Sequence, residues 1–198
     1  MLIILKILSK VNAGLVIFVG SVQWLLMIIV SESFQPDYNS SLHYVSSLGV
    51  GMTALTYNTS IILYGLSLVI SSIILYKTLN KKLLTSLLLV TGLFIMGVGV
   101  FPENSRPMHG YVTAFAFIFA VLLPIISFKA LNPPFSYISI IMGLICLVML
   151  IIFFPYLGLP ADSTIMILGL AKGTMERLVI YTLLVWMLSF SISLLTTA

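Results

Sequence analysis

The sequence is poor in charge, in cysteine and in histidine. Nine basic and five acidic side chains are spread over 198 residues, so only 7% of the chain is charged. So little polarity cannot cover the surface of a water-soluble globule of this size. The single cysteine, Cys146, excludes an internal disulfide. The two histidines, His43 and His109, do not lie at the spacing of a zinc site, and we predict no metal and no cofactor.

Long apolar stretches are what the sequence has in abundance. Its residues are 61% hydrophobic, and its mean hydropathy is +1.23. Six windows free of formal charge each have about the 17–25 residues that a helix needs to cross a bilayer core. Continuous apolar runs favour helices over the alternating strands of a membrane barrel. We therefore predict an all-α polytopic membrane protein, a single domain over residues 1–198 with six transmembrane helices in one bundle. The predicted spans are 12–30, 53–76, 83–100, 111–128, 135–154 and 178–196.

The basic residues are distributed unequally between alternate connections of these spans. Because Lys and Arg beside a span are retained in the cytoplasm, the side with more of them is expected to be the inner one. Six lysines lie on one side, against one lysine and two arginines on the other. We therefore predict a plasma-membrane protein whose N- and C-termini are cytoplasmic. The inner lysines are Lys6, Lys10, Lys77, Lys81, Lys82 and Lys129, and the outer basic residues are Arg106, Lys172 and Arg177.

All five acids and both histidines fall on the expected outer side, although they were not counted in assigning it. The inner face carries only lysines, which suit anionic lipid head groups. The net charge of +4 is therefore no sign of nucleic-acid binding. The partners that we expect are membrane lipids and, alternatively, other subunits of a membrane complex.

The short connection FPENSRPMHGY, residues 101–111, brings an acid, a base and an imidazole together. They are Glu103, Arg106 and His109. Glu103 and Arg106 are three residues apart and could form a local ion pair. Glu176 and Arg177 stand where the last span begins, and an Arg that close to the membrane usually pairs, so we expect Glu103 to be its partner across the bundle.

The predicted outer cluster consists of Glu103, Arg106, His109, Glu176 and Arg177. We expect the first outer loop, with His43, to cover it. Small and hydroxylic residues also repeat at helical spacing: Thr56, Ser60, Tyr64, Ser67 and Ser71 in the second span, and His109, Thr113, Ala116 and Ala120 in the fourth. Such stripes are typical of close helix contact in lipid, and we expect both to face the inside of the bundle.

Three patches of the chain together resemble a known family. They are Tyr44–Gly65, Gly99–Phe117 and Gly173–Trp186. They resemble the domain-of-unknown-function family 998, multi-span proteins of archaea and bacteria within a broader set similar to DRAM- and Sfk-type membrane proteins. At one place in the first patch where the resemblance leads us to expect an acid, this chain has Ser47. The resemblance implies a multi-span fold and the outer cluster, and it implies no reaction.

Three functions are compatible with the sequence. The first is non-catalytic: the cluster of His43, Glu103, Arg106, His109, Glu176 and Arg177 locks helix ends together and binds a lipid head group or a partner subunit. The second is an interfacial lipid-modifying enzyme that uses Glu103 and His109 as an acid–base pair. The third is a small-solute transporter, for which the hydroxyl stripe of the second span is the only candidate path.

Overall fold

The computed structural model describes residues 2–79, 81–160 and 163–196. This part of the chain forms six long helices: α1 Leu2–Phe34, α2 Ala54–Thr78, α3 Lys82–Val100, α4 Met108–Ser127, α5 Phe135–Phe153 and α6 Lys172–Thr196. All six are long and apolar enough to span a membrane. The predicted all-α polytopic fold is therefore confirmed. The remaining elements are short: three 3₁₀ turns, and one antiparallel hairpin of β1 Met166–Ile167 and β2 Leu170–Ala171.

The last helix begins well before its predicted span. The predicted window excluded Lys172, Glu176 and Arg177 because they are charged, yet all three lie in α6 and are at most 8% exposed. Charged side chains are tolerated in a membrane helix where they face protein and find partners there. A window defined by the absence of charge therefore misses the first two turns of this helix.

The six helices pack in chain order, and α6 closes the ring by returning to α1. Neighbours run in opposite directions: in α1 and α2, for example, Gln23 donates to the Ser60 carbonyl while Ser71 donates to the Ala13 carbonyl. The residues of both predicted stripes are buried, as expected, with one exception: Thr56 at the start of α2 is exposed. Ser67 packs directly against Gly20 of α1 and donates to the Tyr64 carbonyl. These hydroxyls therefore serve helix packing.

The ring has two chemically different ends. One end, which we call the acidic end, is formed by the helix termini at Phe34, Ala54, Val100, Met108, Phe153 and Lys172. The first loop, residues 35–53, folds over this end through the 3₁₀ turns Val45–Gly49 and Gly51–Thr53. The other end, the lysine end, carries Lys77, Lys81, Lys82 and Lys129, all exposed.

Candidate functional site

A cavity of about 380 Å³ opens at the acidic end between the first loop and helices α4, α5 and α6. We call it the mouth cavity. Four of the six residues of the predicted cluster line it: Glu103, Arg106, His109 and Glu176. The remaining two, His43 and Arg177, do not line it and belong to a network behind it.

Glu103 projects from the connection between α3 and α4 and is only 8% exposed. Its Oε2 accepts a hydrogen bond of 2.5 Å from Ser47 Oγ in the first loop. Its Oε1 is buried and has no hydrogen-bond partner among the described residues. A serine at position 47, where an acid was expected from the family resemblance, thus supplies a donor to this carboxylate and avoids a second negative charge beside it.

The predicted ion pair between Glu103 and Arg106 is present but long. Arg106 Nη2 lies 3.8 Å from Glu103 Oε1, and the arginine side chain is 44% exposed. The guanidinium makes its hydrogen bonds elsewhere, to the carbonyl oxygens of Gly158 and Leu159 at 3.1 and 3.0 Å. An exposed pair of this kind contributes only about 0–1 kcal/mol to stability. Arg106 therefore fastens the loop after α5 more than it neutralises Glu103.

His109 lies in the first turn of α4 and is 7% exposed. Its Nδ1 is 2.7 Å from the Phe101 carbonyl oxygen, which can only accept, so Nδ1 carries the proton. In the neutral ring Nε2 is then an acceptor, and it lies 3.3 Å from Thr113 Oγ1 one turn further along α4. The imidazole is thereby held in one orientation at the wall of the mouth cavity.

Glu176 reaches the cavity from the opposite wall and is 3% exposed. Its Oε2 accepts a 2.5 Å hydrogen bond from the backbone N–H of Val45. Since Val45 begins the 3₁₀ turn of the first loop, this bond fixes the loop on α6. The Glu176 carboxylate thus lines the mouth cavity and also holds the first loop, which covers the cavity, against α6.

Arg177 does not pair with Glu103, and this sequence-based prediction is wrong. Its partner is Glu32 at the end of α1, whose Oε1 is 2.6 Å from Nη2 and 3.2 Å from Nε. Its Nη1 donates to the carbonyl oxygens of Ser40, His43 and Gly173. The reason is geometric: α6 packs against α1 in the ring, which places Arg177 on the side of α6 away from the mouth cavity.

The first loop is held by this network and does not use the His43 ring to cover the cavity. His43 contributes its carbonyl oxygen to Arg177, while its Nδ1 accepts from the Asn39 N–H at 3.0 Å. Gly173 allows the first loop to lie this close to α6, because a Cβ at this position would be 2.2 Å from the His43 carbonyl oxygen. The residues of the loop that line the mouth cavity are instead Tyr44 and Ser46.

Tyrosines complete the walls and fix the hairpin. Burial raises the pKa of the Tyr44 hydroxyl above its ordinary value, so the group stays protonated and donates to the Tyr156 carbonyl oxygen at 2.5 Å. The Tyr156 hydroxyl in turn donates to the Leu170 carbonyl and accepts from the Ile167 N–H, both at 2.6 Å. The buried Lys172 lies over the Tyr44 ring, with Nζ 5.2 Å from its centre.

A second cavity, of about 70 Å³, lies below the mouth cavity inside the helix ring. We call it the central cavity. Its wall is mainly apolar and includes Trp24 of α1 and Ile180 of α6. Ser46, Thr113 and Glu176 line both cavities, so the two adjoin each other. A cavity with charged side chains in its wall at the acidic end therefore adjoins an apolar cavity inside the helix ring.

Sequence reasoning missed several residues that build this end of the molecule. Glu32, Tyr38 and Tyr44 were not assigned to the cluster, although each contacts a charged member of the site. One feature of the sequence could have identified Glu32. A buried Arg needs an acidic partner, and Glu32 is the acid at the end of α1. Within the described residues, no group of three or more His, Cys, Asp or Glu side chains is placed to hold a metal ion.

Comparison with protein-family models finds one that matches residues 18–193, described as a protein of unknown function, DUF998. The matched region runs from the first half of α1 almost to the end of α6 and includes every residue of both cavities. Neither the curated proteins nor the solved structures include a significant match. The chain therefore belongs to the DUF998 family of proteins of unknown function.

Proposed function

We propose that this protein binds a membrane lipid without modifying it, with the head group in the mouth cavity and the first carbons of the hydrocarbon chain in the central cavity, whose volume of about 70 Å³ has room for only that part of the chain. The observation that carries the proposal is the junction of the two spaces at Ser46, Thr113 and Glu176. A cavity that carries charged groups and adjoins an apolar one matches an amphiphile, whereas a small polar solute would gain nothing from the apolar part.

The charges of the mouth cavity support a head group that donates hydrogen bonds. Two buried carboxylates, Glu103 and Glu176, line it, and the guanidinium of Arg106 is directed to backbone carbonyls. Since Glu103 Oε1 has no hydrogen-bond partner among the described residues, a hydroxyl or amine of the ligand would satisfy it. An anionic head group would instead face the like charge of Glu103.

Native mass spectrometry of protein purified from its own membrane in mild detergent tests the proposal. We expect the wild-type protein to retain one lipid of defined mass. Glu103→Gln removes the charge at the head group, and Ala116→Leu fills the central cavity, so both variants should lose the lipid while remaining folded. Asp37→Asn, a change at an exposed residue outside both cavities, should retain it.

Two results would contradict lipid binding. One is a wild-type protein that carries no lipid at all. The other is a co-purifying protein chain in place of a lipid, which would make the acidic end a subunit interface. Equal lipid retention by wild type and both cavity variants would place the bound lipid elsewhere on the protein.

A second candidate function, lipid modification, is favoured by the geometry of His109. Its Nδ1 is fixed by the Phe101 carbonyl, which leaves Nε2 unprotonated and able to act as a base, and Glu103 lines the same cavity. If the protein is an enzyme, supplied lipid should return with a changed mass, and Glu103→Gln and His109→Ala should abolish that change. Lipid recovered unaltered after prolonged incubation supports the non-catalytic proposal.

We also propose that the acidic end faces the outside of the plasma membrane and that both termini are cytoplasmic. The lysines at the opposite end support this orientation through the positive-inside rule.

A further inference from the structure

Two buried polar atoms, each on a side chain that lines a cavity, lack hydrogen-bond partners among the described residues. Among the described residues, four buried side-chain N or O atoms are unpartnered, and two of these belong to residues that line the cavities: Glu103 Oε1 and Trp24 Nε1. The first is an acceptor at the mouth, and the second is a donor in the apolar interior. Native proteins rarely leave such groups unpaired, so each requires an explanation.

The Trp24 ring is held in place by its neighbours. Trp24 lies in the middle of α1, is 6% exposed and stacks on Tyr64 of α2, with ring centres 4.8 Å apart and planes 11° from parallel. A buried indole N–H usually finds an acceptor. Trp186, the other tryptophan of the chain, does so: its Nε1 donates to Ser139 Oγ at 2.8 Å. Trp24 lines the central cavity, yet its Nε1 finds no acceptor in the part of the chain that the structure describes.

An acceptor at the mouth and a donor further in match a particular order of groups on a ligand. The head group must donate a hydrogen bond, and an acceptor must follow it on the way to the hydrocarbon chain. In membrane amphiphiles that acceptor is the carbonyl of the ester or amide that joins head and chain. Resting on the proposed function, we infer that the bound lipid has a hydroxyl- or amine-bearing head group and an ester or amide carbonyl whose oxygen accepts the Trp24 Nε1–H.

An internal water is the alternative partner for Trp24. A water needs a cavity of about 10–15 Å³, so the central cavity of about 70 Å³ is large enough to hold one. A water would also need two to four polar partners, and the cavity wall is largely apolar. The two explanations make different predictions. If Trp24 Nε1 donates to a ligand carbonyl, the affinity of the protein for a lipid depends on the linkage between head group and chain, whereas with a water as the partner it does not.

Two probes that differ only in this linkage test the inference. A monoacylglycerol carries the hydroxyl donors and an ester carbonyl, whereas a monoalkylglycerol of the same chain length carries an ether oxygen, a weaker acceptor. Binding of each probe to delipidated protein in detergent is measured by native mass spectrometry titration. We expect the wild type to bind the ester about five- to tenfold more tightly than the ether, the effect of about one hydrogen bond.

Trp24→Phe keeps an aromatic ring on Tyr64 and removes the N–H. It should bind both probes equally, at the level of the ether probe with the wild type. Trp186→Phe is the matched control: it removes the other indole N–H of the chain, which lines neither cavity, and should keep the wild-type preference. In the Trp186→Phe variant Trp24 is the sole tryptophan. Its fluorescence emission should shift to longer wavelength when the ester probe binds and should not shift with the ether probe. This second readout does not require Trp24→Phe to fold.

The outcomes separate the inference from the proposed function. If the wild type binds ester and ether equally, or if Trp24→Phe keeps the preference for the ester, the inference is wrong and the lipid-binding proposal stands. If neither probe binds to the wild type at concentrations that saturate a typical lipid site, the proposed function fails and the inference with it. A Trp24 emission that is insensitive to the ester in Trp186→Phe also overturns the inference.

Discussion

At the scale of single residues, the charged groups of the acidic end divide into two sets with different tasks. Arg177 and Glu32 form a pair at 2.6 Å, and Arg177 also bonds three backbone carbonyls. These groups are mutually satisfied and join α1, α6 and the first loop. Glu103 has one oxygen bonded to Ser47 and the other without a hydrogen-bond partner in the described chain. The first set stabilises the fold, and Glu103 is the group that we propose to contact a ligand.

The same substitution at two acids separates these tasks. Glu32→Gln leaves the guanidinium of Arg177, which is 8% exposed, without its counter-charge. Breaking a fully buried pair costs about 3–5 kcal/mol, and because the Glu32 side chain is 24% exposed we expect about 1–3 kcal/mol and a clearly lower Tm. Glu103→Gln keeps an acceptor for Ser47 and removes a poorly paired charge, so the Tm should stay the same or rise. Thermal unfolding in detergent measures both.

This pair of variants also checks the contact that the sequence predicted incorrectly. Had Glu103 been the partner of Arg177, its amide variant would be the destabilised one. A fall in Tm for Glu103→Gln as large as that for Glu32→Gln would contradict the division between the two sets.

At the scale of helices, the ring depends on close contacts at glycine. Gly65 of α2 and Gly92 of α3 face each other, and a Cβ on Gly65 would lie 2.6 Å from the Gly92 carbonyl oxygen and 2.7 Å from the Met96 backbone nitrogen. Both atoms are backbone, so neither can move aside without shifting α3. Small residues of this kind allow helix association in lipid, where no hydrophobic force draws helices together.

Gly65→Ala should therefore separate α2 from α3 and destabilise the protein by about 1–3 kcal/mol, the usual cost of overpacking. Gly110→Ala is the matched control, because a Cβ at Gly110 in the first turns of α4 would meet nothing within 4 Å. There alanine should be neutral or stabilising by up to about 1 kcal/mol through its better helix propensity. Equal losses of Tm in the two variants would show that the α2–α3 contact is not specially tight.

The helices themselves could be predicted from the sequence, since uncharged runs of membrane-spanning length leave few alternatives. Which helix ends meet could not be predicted, because the partner of Arg177 is 145 positions away and depends on α6 closing the ring against α1. The groups of the mouth cavity were mostly identified, since Glu103, Arg106, His109 and Glu176 stood out as rare charges and imidazoles near span ends. The unpartnered state of Trp24 Nε1 depends on how the indole ring packs against Tyr64, and no spacing rule reports that.

At the scale of the whole molecule, the two ends of the ring differ in the sign of their charge. The four described acids lie at the acidic end, Glu32 and Glu176 in the terminal turns of helices and Asp37 and Glu103 in connections, while Lys77, Lys81, Lys82 and Lys129 lie at the lysine end. Lysines at a membrane surface favour the anionic cytoplasmic leaflet. The mouth cavity, with two buried carboxylates, would then open to the opposite leaflet and take its lipid from there.

Cysteines introduced at matched asparagines test this orientation. Asn104 lies at the acidic end and Asn132 in the α4–α5 connection at the lysine end, and both are exposed. In a Cys146→Ala background, a membrane-impermeant thiol reagent applied to intact cells should label Asn104→Cys and spare Asn132→Cys. Both should react once the cells are opened, which controls for accessibility. The reverse pattern would turn the mouth cavity towards the cytoplasm, and lipid would then have to enter from the inner leaflet.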